Sequence, residues 1–137
     1  MAALLICCML GYSGGTARRL VPVEFIHRGK RYSITALYDT GNTLRDPLTG
    51  RSVMVVGPEL AGQLSGLTPE QLRIPTESIR FLPGGRLIPY KTISEAGGFL
   101  LALPLSEVRI GTWKGNCLVA FAPERFGSGE FEALTGG

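Results

Sequence analysis

Residues 33 to 56 read Ser-Ile-Thr-Ala-Leu-Tyr-Asp-Thr-Gly-Asn-Thr-Leu-Arg-Asp-Pro-Leu-Thr-Gly-Arg-Ser-Val-Met-Val-Val, and this stretch decides the fold. Its first six residues are rich in β-branched and aromatic side chains, which favour a strand. The strand runs directly into Asp39-Thr40-Gly41. Gly41 leaves room for close approach of backbone or substrate, and the Thr40 hydroxyl can brace the loop because it donates and accepts hydrogen bonds. The alternative is a solvated turn, since Asp, Gly and Asn all favour turns.

A strand that ends in Asp-Thr-Gly is how an aspartic peptidase presents its catalytic carboxylate, and Asp39 is the candidate for that role. Such enzymes use two carboxylates that share one proton, because like charges about 3 Å apart cannot both ionise. One carboxylate takes a proton from water while the other donates to the scissile carbonyl. The chain has one Asp-Thr-Gly and too few residues for two lobes. A working dyad therefore combines Asp39 from two copies around a two-fold axis.

A longer pattern surrounds the tripeptide. Asp-Thr-Gly-Asn-Thr-Leu at residues 39 to 44 is followed by Asp-Pro, by Thr-Gly and by a valine run, and a second block covers residues 86 to 93 and 97 to 101. In order and spacing this pattern resembles the sporulation sigma-E-factor-processing peptidases (stage II sporulation protein GA) over residues 21 to 133. Gly57 and residues 103 to 108 depart from the family pattern.

The resemblance implies a fold, an activity and partners. The fold is a mainly β, single-lobe, pepsin-like (retropepsin-like) aspartic peptidase barrel. The activity is that of a homodimeric endopeptidase that removes the N-terminal pro-segment of a sporulation sigma-factor precursor, with one catalytic Asp from each subunit. The resemblance also implies a secreted activator protein, and a membrane region ahead of a peptidase domain on the cytoplasmic side of the cell membrane.

Length and composition agree with a single β domain. A chain of 137 residues is large enough to bury one core. Its 19 glycines, nine prolines and many short apolar runs favour a sandwich or barrel over a helical bundle. We predict one to three short helices in three places: residues 58 to 64, a segment that starts at Thr68, and a final turn at residues 129 to 134.

Charge and cysteine content exclude several function classes. The net charge of +3 comes from scattered cations without interleaved aromatic residues, so we predict no nucleic-acid binding. Cys7, Cys8 and Cys117 lack metal-ligand spacing, and we predict no metal and no cofactor. Cys117 lies in an apolar run, where a buried thiol is expected. A reducing, cytoplasmic setting fits this cysteine content.

The N-terminus begins with ten almost wholly apolar residues, which are too few to span a bilayer because spanning takes about 20. No positive residue precedes them, as a signal peptide would require. They are either a buried first strand or the end of a membrane helix, and the resemblance favours the membrane helix. Arg18 and Arg19 would then mark the cytoplasmic side. We divide the chain into residues 1 to 16, a membrane remnant plus linker, and residues 17 to 137, the peptidase domain.

The remaining pattern predicts strands and hairpins. A turn at residues 27 to 30 joins strands predicted at 21 to 26 and 31 to 38. The turn Pro83-Gly84-Gly85-Arg86 joins strands predicted at 79 to 82 and 87 to 92. In single-lobe aspartic peptidases a glycine-tipped hairpin folds over the substrate, so Gly84 and Gly85 form a possible flap, the alternative being an ordinary hairpin. Further strands are predicted at residues 52 to 56, 99 to 103, 108 to 113 and 117 to 122, with a turn at 113 to 116.

Two other polar residues are poor catalytic candidates. Asp46 precedes Pro47 and lacks a following Thr-Gly, so we interpret it as a turn or capping residue. His27, the only histidine, lies beside a turn glycine and is expected to be exposed. It has no sequence context that would pair it with a nucleophile.

Two alternative functions remain open at this level. The chain could be a non-catalytic β-barrel interaction domain that keeps Asp-Thr-Gly as a structural turn. It could also be a soluble retropepsin-like peptidase of the same fold, with another substrate and no membrane link. Replacement of Asp39 by asparagine distinguishes the first alternative from the enzyme, since a structural turn tolerates asparagine at this position.

Overall fold

The computed structural model describes residues 18–39, 44–90, 98–126 and 129–136. Its elements are, in chain order, strands β1 (Arg18–His27), β2 (Lys30–Asp39) and β3 (Met54–Val56), helices α1 (Pro58–Ser65), α2 (Pro69–Leu72) and α3 (Pro75–Ser78), a 3-10 turn (Ile79–Phe81), and strands β4 (Arg86–Tyr90), β5 (Gly98–Ile110), β6 (Trp113–Phe121) and β7 (Ala133–Thr135). The predicted mainly β fold with a few short helices is confirmed.

The first two strands form a long hairpin with a two-residue turn. Their antiparallel register runs from His27 opposite Lys30 to Arg18 opposite Asp39. Both turn residues have positive φ angles, 52° at Arg28 and 78° at Gly29. Such a turn matches the right-handed twist of the strands that it joins. Alternate residues of each strand are buried, so one face of the hairpin covers the core.

The strands close into a barrel. They are hydrogen-bonded in the order β1-β2-β7-β3-β6-β5-β4, and β1 pairs additionally with β5 at Val23–Ile110 and Glu24–Arg109. The pairing of β1 with β5 closes the sheet on itself. Strand β4 lies outside this closed ring and pairs with the first part of β5. The closing pairing covers the edge of β1 at Val23 and Glu24, and a covered edge does not invite pairing with other chains.

Strand β3 lies between two apolar clusters. Met54 and Val56 contribute to one cluster, whereas Val53 and Val55 contribute to the other. All four are fully buried. A strand that is covered on both faces has a continuous apolar sequence, which explains the uninterrupted run from residue 53 to residue 56.

Helices α1 and α2 begin where the sequence signals place them, whereas α3 is not predicted from the sequence. Pro58 occupies the first turn of α1, and Gly66 ends it with a φ of 76°. Thr68 caps α2: its Oγ1 accepts a hydrogen bond from the Gln71 backbone N–H at 3.2 Å, and Gln71 Oε1 accepts one from the Thr68 backbone N–H at 2.9 Å. This reciprocal pair is a capping box.

The predicted hairpin around Gly84 and Gly85 is wrong in its first arm. Residues 79 to 81 form a 3-10 turn instead of a strand, because they continue the helical backbone that starts at Pro75. The Leu82 backbone N–H donates to the Ile79 carbonyl at 3.0 Å. Strand β4 pairs with β5 instead.

The predictions for the last third of the chain contain two further errors in the strands. The segment at 99 to 103 and the first part of the segment at 108 to 113, up to Ile110, form one strand, β5, which a bulge between Leu105 and Val108 bends without ending it. At the bulge Glu107 has a φ of 55°. The turn predicted at residues 113 to 116 lies at Gly111 instead, where φ is 59°, so the predicted turn residues belong to β6.

The predicted final helix is also wrong. Residues 133 to 135 form strand β7, which is inserted between β2 and β3 and pairs parallel with β2. Ala133 and Leu134 are almost fully buried there. Pairing on both edges therefore determines the conformation of a segment whose own sequence favours a helical turn.

Residues 1 to 16, the predicted membrane remnant and linker, lie outside the described residues. None of the helices in the described part of the chain has the length and apolarity that crossing a bilayer requires.

Candidate active site

Asp39 is the last residue of β2 and is only 1% exposed. Its Oδ2 lies 3.4 Å from the Arg18 Nε at the start of β1. Burial of a carboxylate is costly unless charge and hydrogen-bonding partners offset it. The guanidinium of Arg18, which is itself partly exposed, is placed to stabilise a negative charge on Asp39.

The register of the first hairpin creates this ion pair. The two-residue turn sets His27 opposite Lys30, and counting outward by nine residues on each strand sets Arg18 opposite Asp39. Side chains directly opposite each other in an antiparallel pair share one face of the sheet. The sequence pattern predicts Arg18 only as a membrane-proximal cation; its contact with Asp39 follows when the predicted hairpin is extended to residue 18.

Within the described part of the chain, no contact joins Asp39 to the other predicted site residues. Thr40 and Gly41 lie outside the described residues. Gly84 has a φ of 77°, and the Gly85 backbone N–H donates to the Leu82 carbonyl at 2.8 Å. Both glycines therefore form the turn that links the 3-10 turn to β4, and their role as a flap stays a prediction.

Asp46 organises the turn that follows the candidate site, as its sequence context predicts. Its Oδ1 accepts a hydrogen bond from the Leu48 backbone N–H at 3.0 Å, and its Oδ2 accepts one from the Thr49 hydroxyl at 2.9 Å. Arg86 on β4 lies 3.9 Å from the same Oδ2. These contacts occupy both carboxylate oxygens, so Asp46 is a capping residue that ties the loop to β4.

His27 lies at the opposite end of the first hairpin from Asp39. Nine residue steps of strand separate the two ends, or about 30 Å. The side chain is half-buried, not exposed as the sequence predicts, because its Nε2 lies 3.1 Å from the Leu64 carbonyl at the end of α1. His27 is thus a structural contact between the hairpin and the helix.

A cleft of about 1160 Å³ opens beside the end of β2. Tyr38 and its strand neighbour Thr135 line it, whereas Asp39 does not. Successive residues of a strand point to opposite faces, which explains why Tyr38 and Asp39 differ. The cleft and the candidate carboxylate therefore flank the same strand end from its two sides.

Cys117 is a partly buried thiol on β6 that lines this cleft. Burial raises the pKa of Cys117 to about 11, partly offset by a backbone hydrogen bond from Met54. The thiolate is the reactive form of cysteine, so this thiol is protonated and poorly nucleophilic near neutral pH. Cys117 is accordingly not a candidate nucleophile.

We expect Cys117 to react with iodoacetamide at pH 8 about a hundredfold more slowly in the folded chain than in urea, because its pKa is about two units above the ordinary value of 9.0. Mass spectrometry of tryptic peptides distinguishes Cys117 from Cys7 and Cys8. Since the pKa is raised on folding, this thiol contributes stability below pH 9 that is lost as the pH rises through 11. Equal alkylation rates with and without urea would contradict the shift.

Within residues 18–39, 44–90, 98–126 and 129–136, no group of three or more His, Cys, Asp or Glu side chains is arranged to hold a metal ion.

Comparisons with known proteins agree with the resemblance seen in the sequence. The Peptidase_U4 family model, described as sporulation factor SpoIIGA, matches residues 9–135. The chain is 32% identical over 106 residues to the sporulation sigma-E factor-processing peptidase of Priestia megaterium (strain ATCC 12872 / QMB1551), covering 69% of this chain and 34% of that protein. It is 32% identical over 118 residues to the peptidase of the same name from Bacillus subtilis (strain 168), covering 74% and 38%.

The chain thus spans little more than a third of the length of these curated relatives. Among solved structures, no significant match to the chain was found. The family model covers nearly the whole chain, from the residues before β1 to the end of β7. The chain belongs to the Peptidase_U4 family, the family of the sporulation factor SpoIIGA.

Proposed function

We propose that the chain is the peptidase lobe of an aspartic endopeptidase that removes the N-terminal pro-segment of a sporulation sigma-factor precursor. The observation that carries the proposal is the buried carboxylate of Asp39 at the end of β2. Family membership supports the substrate, because the relatives with 32% identity are named sigma-E factor-processing peptidases.

The proposed mechanism requires two copies of the chain. Asp46, the other aspartate, uses both carboxylate oxygens to hold its own turn. A dyad therefore takes one Asp39 from each subunit across a two-fold axis. Thr40 would brace the two loops and Gly41 would let them meet, as the motif suggests.

The two carboxylates have different tasks in one catalytic cycle. One is ionised and takes a proton from water, and the other is protonated and donates to the scissile carbonyl. The Arg18 Nε lies 3.4 Å from the Asp39 Oδ2, where its positive charge faces the carboxylate. In the dimer both Asp39 carboxylates carry this contact, so we propose that the two members of the dyad are equivalent and that either one activates water while the other holds the shared proton.

The proposal places the lobe at the cytoplasmic side of the cell membrane. The apolar residues at the N-terminus, followed by Arg18 and Arg19, support a membrane segment ahead of β1. A membrane anchor would also raise the local concentration of two copies without adding any new contact. A secreted activator protein is a further proposed partner, on the strength of the family resemblance alone.

A processing assay tests the substrate. Purified chain is incubated with a sigma-factor precursor, and mass spectrometry identifies the new N-terminus. We expect one cut that shortens the precursor at its N-terminal side, and no cut in a control protein that lacks the pro-segment. Scattered cleavage of both proteins would contradict a dedicated processing peptidase.

A further inference from the structure

The cleft beside β2 carries a positive charge excess larger than the net charge of the whole chain. Five cations line it against the single carboxylate of Asp46, an excess of four, whereas the net charge of the whole chain is +3; the cations are Arg19, Arg45, Arg51, Arg86 and Lys114. Asp46 already contacts Arg86 and caps its own turn. The cleft is therefore cationic for any incoming ligand.

Three of these cations have no acidic partner within the described part of the chain: Arg19, Arg51 and Lys114. Arg19 is held in place by the ring of Tyr38, with its guanidinium carbon 4.6 Å from the ring centroid. A stacked arginine loses less freedom on binding than a mobile one, and its edge remains available for hydrogen bonds. Arg19 is thus oriented for a carboxylate at the end of β2.

Apolar residues also line the cleft. Trp113 is 44% exposed, and its indole covers Gly115, where a Cβ atom would come within 2.7 Å of Trp113 Cζ2. Pro104 and Leu105 line the same cleft. A concave surface with both charges and apolar positions fits an extended polypeptide whose side chains alternate between acidic and apolar.

We propose that this cleft is a docking site for an acidic, extended polypeptide segment, separate from the position of Asp39. The proposal deepens the proposed function, since such a segment of the substrate would be held on one side of the β2 end while the scissile bond reaches Asp39 on the other. A flat bilayer cannot enter a concave cleft.

Fluorescence anisotropy tests the site without any need for peptidase activity. The probe is a fluorescein-labelled ten-residue peptide of alternating glutamate and valine, compared with peptides that carry glutamine or lysine in place of glutamate. All proteins carry Asp39→Asn so that no peptide is cut. We expect the glutamate peptide to bind about tenfold more tightly than the glutamine peptide, with a preference that weakens as salt rises.

Two double variants assign the binding to the cleft. Arg19→Glu with Arg51→Glu should remove the preference for glutamate and favour the lysine peptide. Lys30→Ala with Arg80→Ala removes two exposed cations that do not line the cleft and should leave the preference unchanged. This reversal of preference is a result that simple loss of folding cannot produce.

Other outcomes overturn the docking site. Equal binding of the three peptides excludes it, as does an equal loss of preference in both double variants. Binding of phosphatidylserine vesicles or of a single-stranded oligothymidine in place of the glutamate peptide would assign the cations to another class of partner. Because no cleavage is measured, each outcome is independent of whether Asp39 is catalytic.

Discussion

Asp39→Asn is expected to lower processing of the sigma-factor precursor by at least about a thousandfold while the chain remains folded. Asparagine has nearly the same size as aspartate but cannot take up and release a proton at neutral pH. Since Asp39 lies at the strand end beside Arg18, its replacement leaves the apolar clusters intact. The rate of product formation at equal protein concentration, with circular dichroism as the folding check, measures the effect.

Asp46→Asn is the matched control. It makes the same change at the other buried aspartate, where asparagine retains an oxygen that can accept from the Leu48 backbone N–H. We expect this variant to keep processing within about tenfold of the original chain, because Asp46 shapes a turn instead of reacting. Full processing by Asp39→Asn, or equal losses in both variants, would support a structural turn at Asp39 and contradict the aspartic mechanism.

Phe121→Ala is expected to lower the free energy of unfolding by about 3–5 kcal/mol, the usual cost of removing a buried phenylalanine ring. Phe121 is fully buried at the end of β6, where it lies opposite Val56 on one side and Leu101 on the other. Truncation there leaves a cavity between three strands of the barrel. Urea denaturation followed by circular dichroism measures the difference.

Phe81→Ala provides the control for that substitution. Phe81 is 54% exposed and carries Arg80 over its ring. The same truncation at this surface position should cost less than about 1 kcal/mol. Similar losses at Phe81 and Phe121 would contradict the burial of Phe121 in the barrel core.

Local sequence signals predicted those elements that depend on their own residues. The first hairpin follows from two strand-forming segments joined by a turn that contains Gly29, and α2 follows from the capping residues Thr68 and Gln71. The final segment was predicted incorrectly because its conformation depends on distant partners. Strand β7 is stabilised by backbone pairing with β2 on one edge and β3 on the other. The side-chain pattern of three residues cannot predict these distant pairings.

The candidate site could be predicted only in part: its aspartates are recognisable in the sequence, but their contacts and the neighbouring cleft are not. Asp39 stands out in the sequence because a strand leads into a three-residue motif, and Asp46 because proline follows it. The Arg18 contact required the register of the hairpin, which depends on a two-residue turn. The cationic cleft could not be found from the sequence, because its five cations come from three strands and a loop that only the closed barrel brings together.

The shared dyad is tested most directly by mixing original and Asp39→Ala subunits at constant total concentration, with sedimentation alongside. If each dimer needs two Asp39 carboxylates and subunits exchange freely, processing follows the square of the original fraction. An equal mixture should then keep about a quarter of the activity, and specific activity should rise with concentration until dimers dominate. A species that sediments as a monomer, processes the precursor fully and loses only half its activity in the equal mixture would contradict the dimeric mechanism.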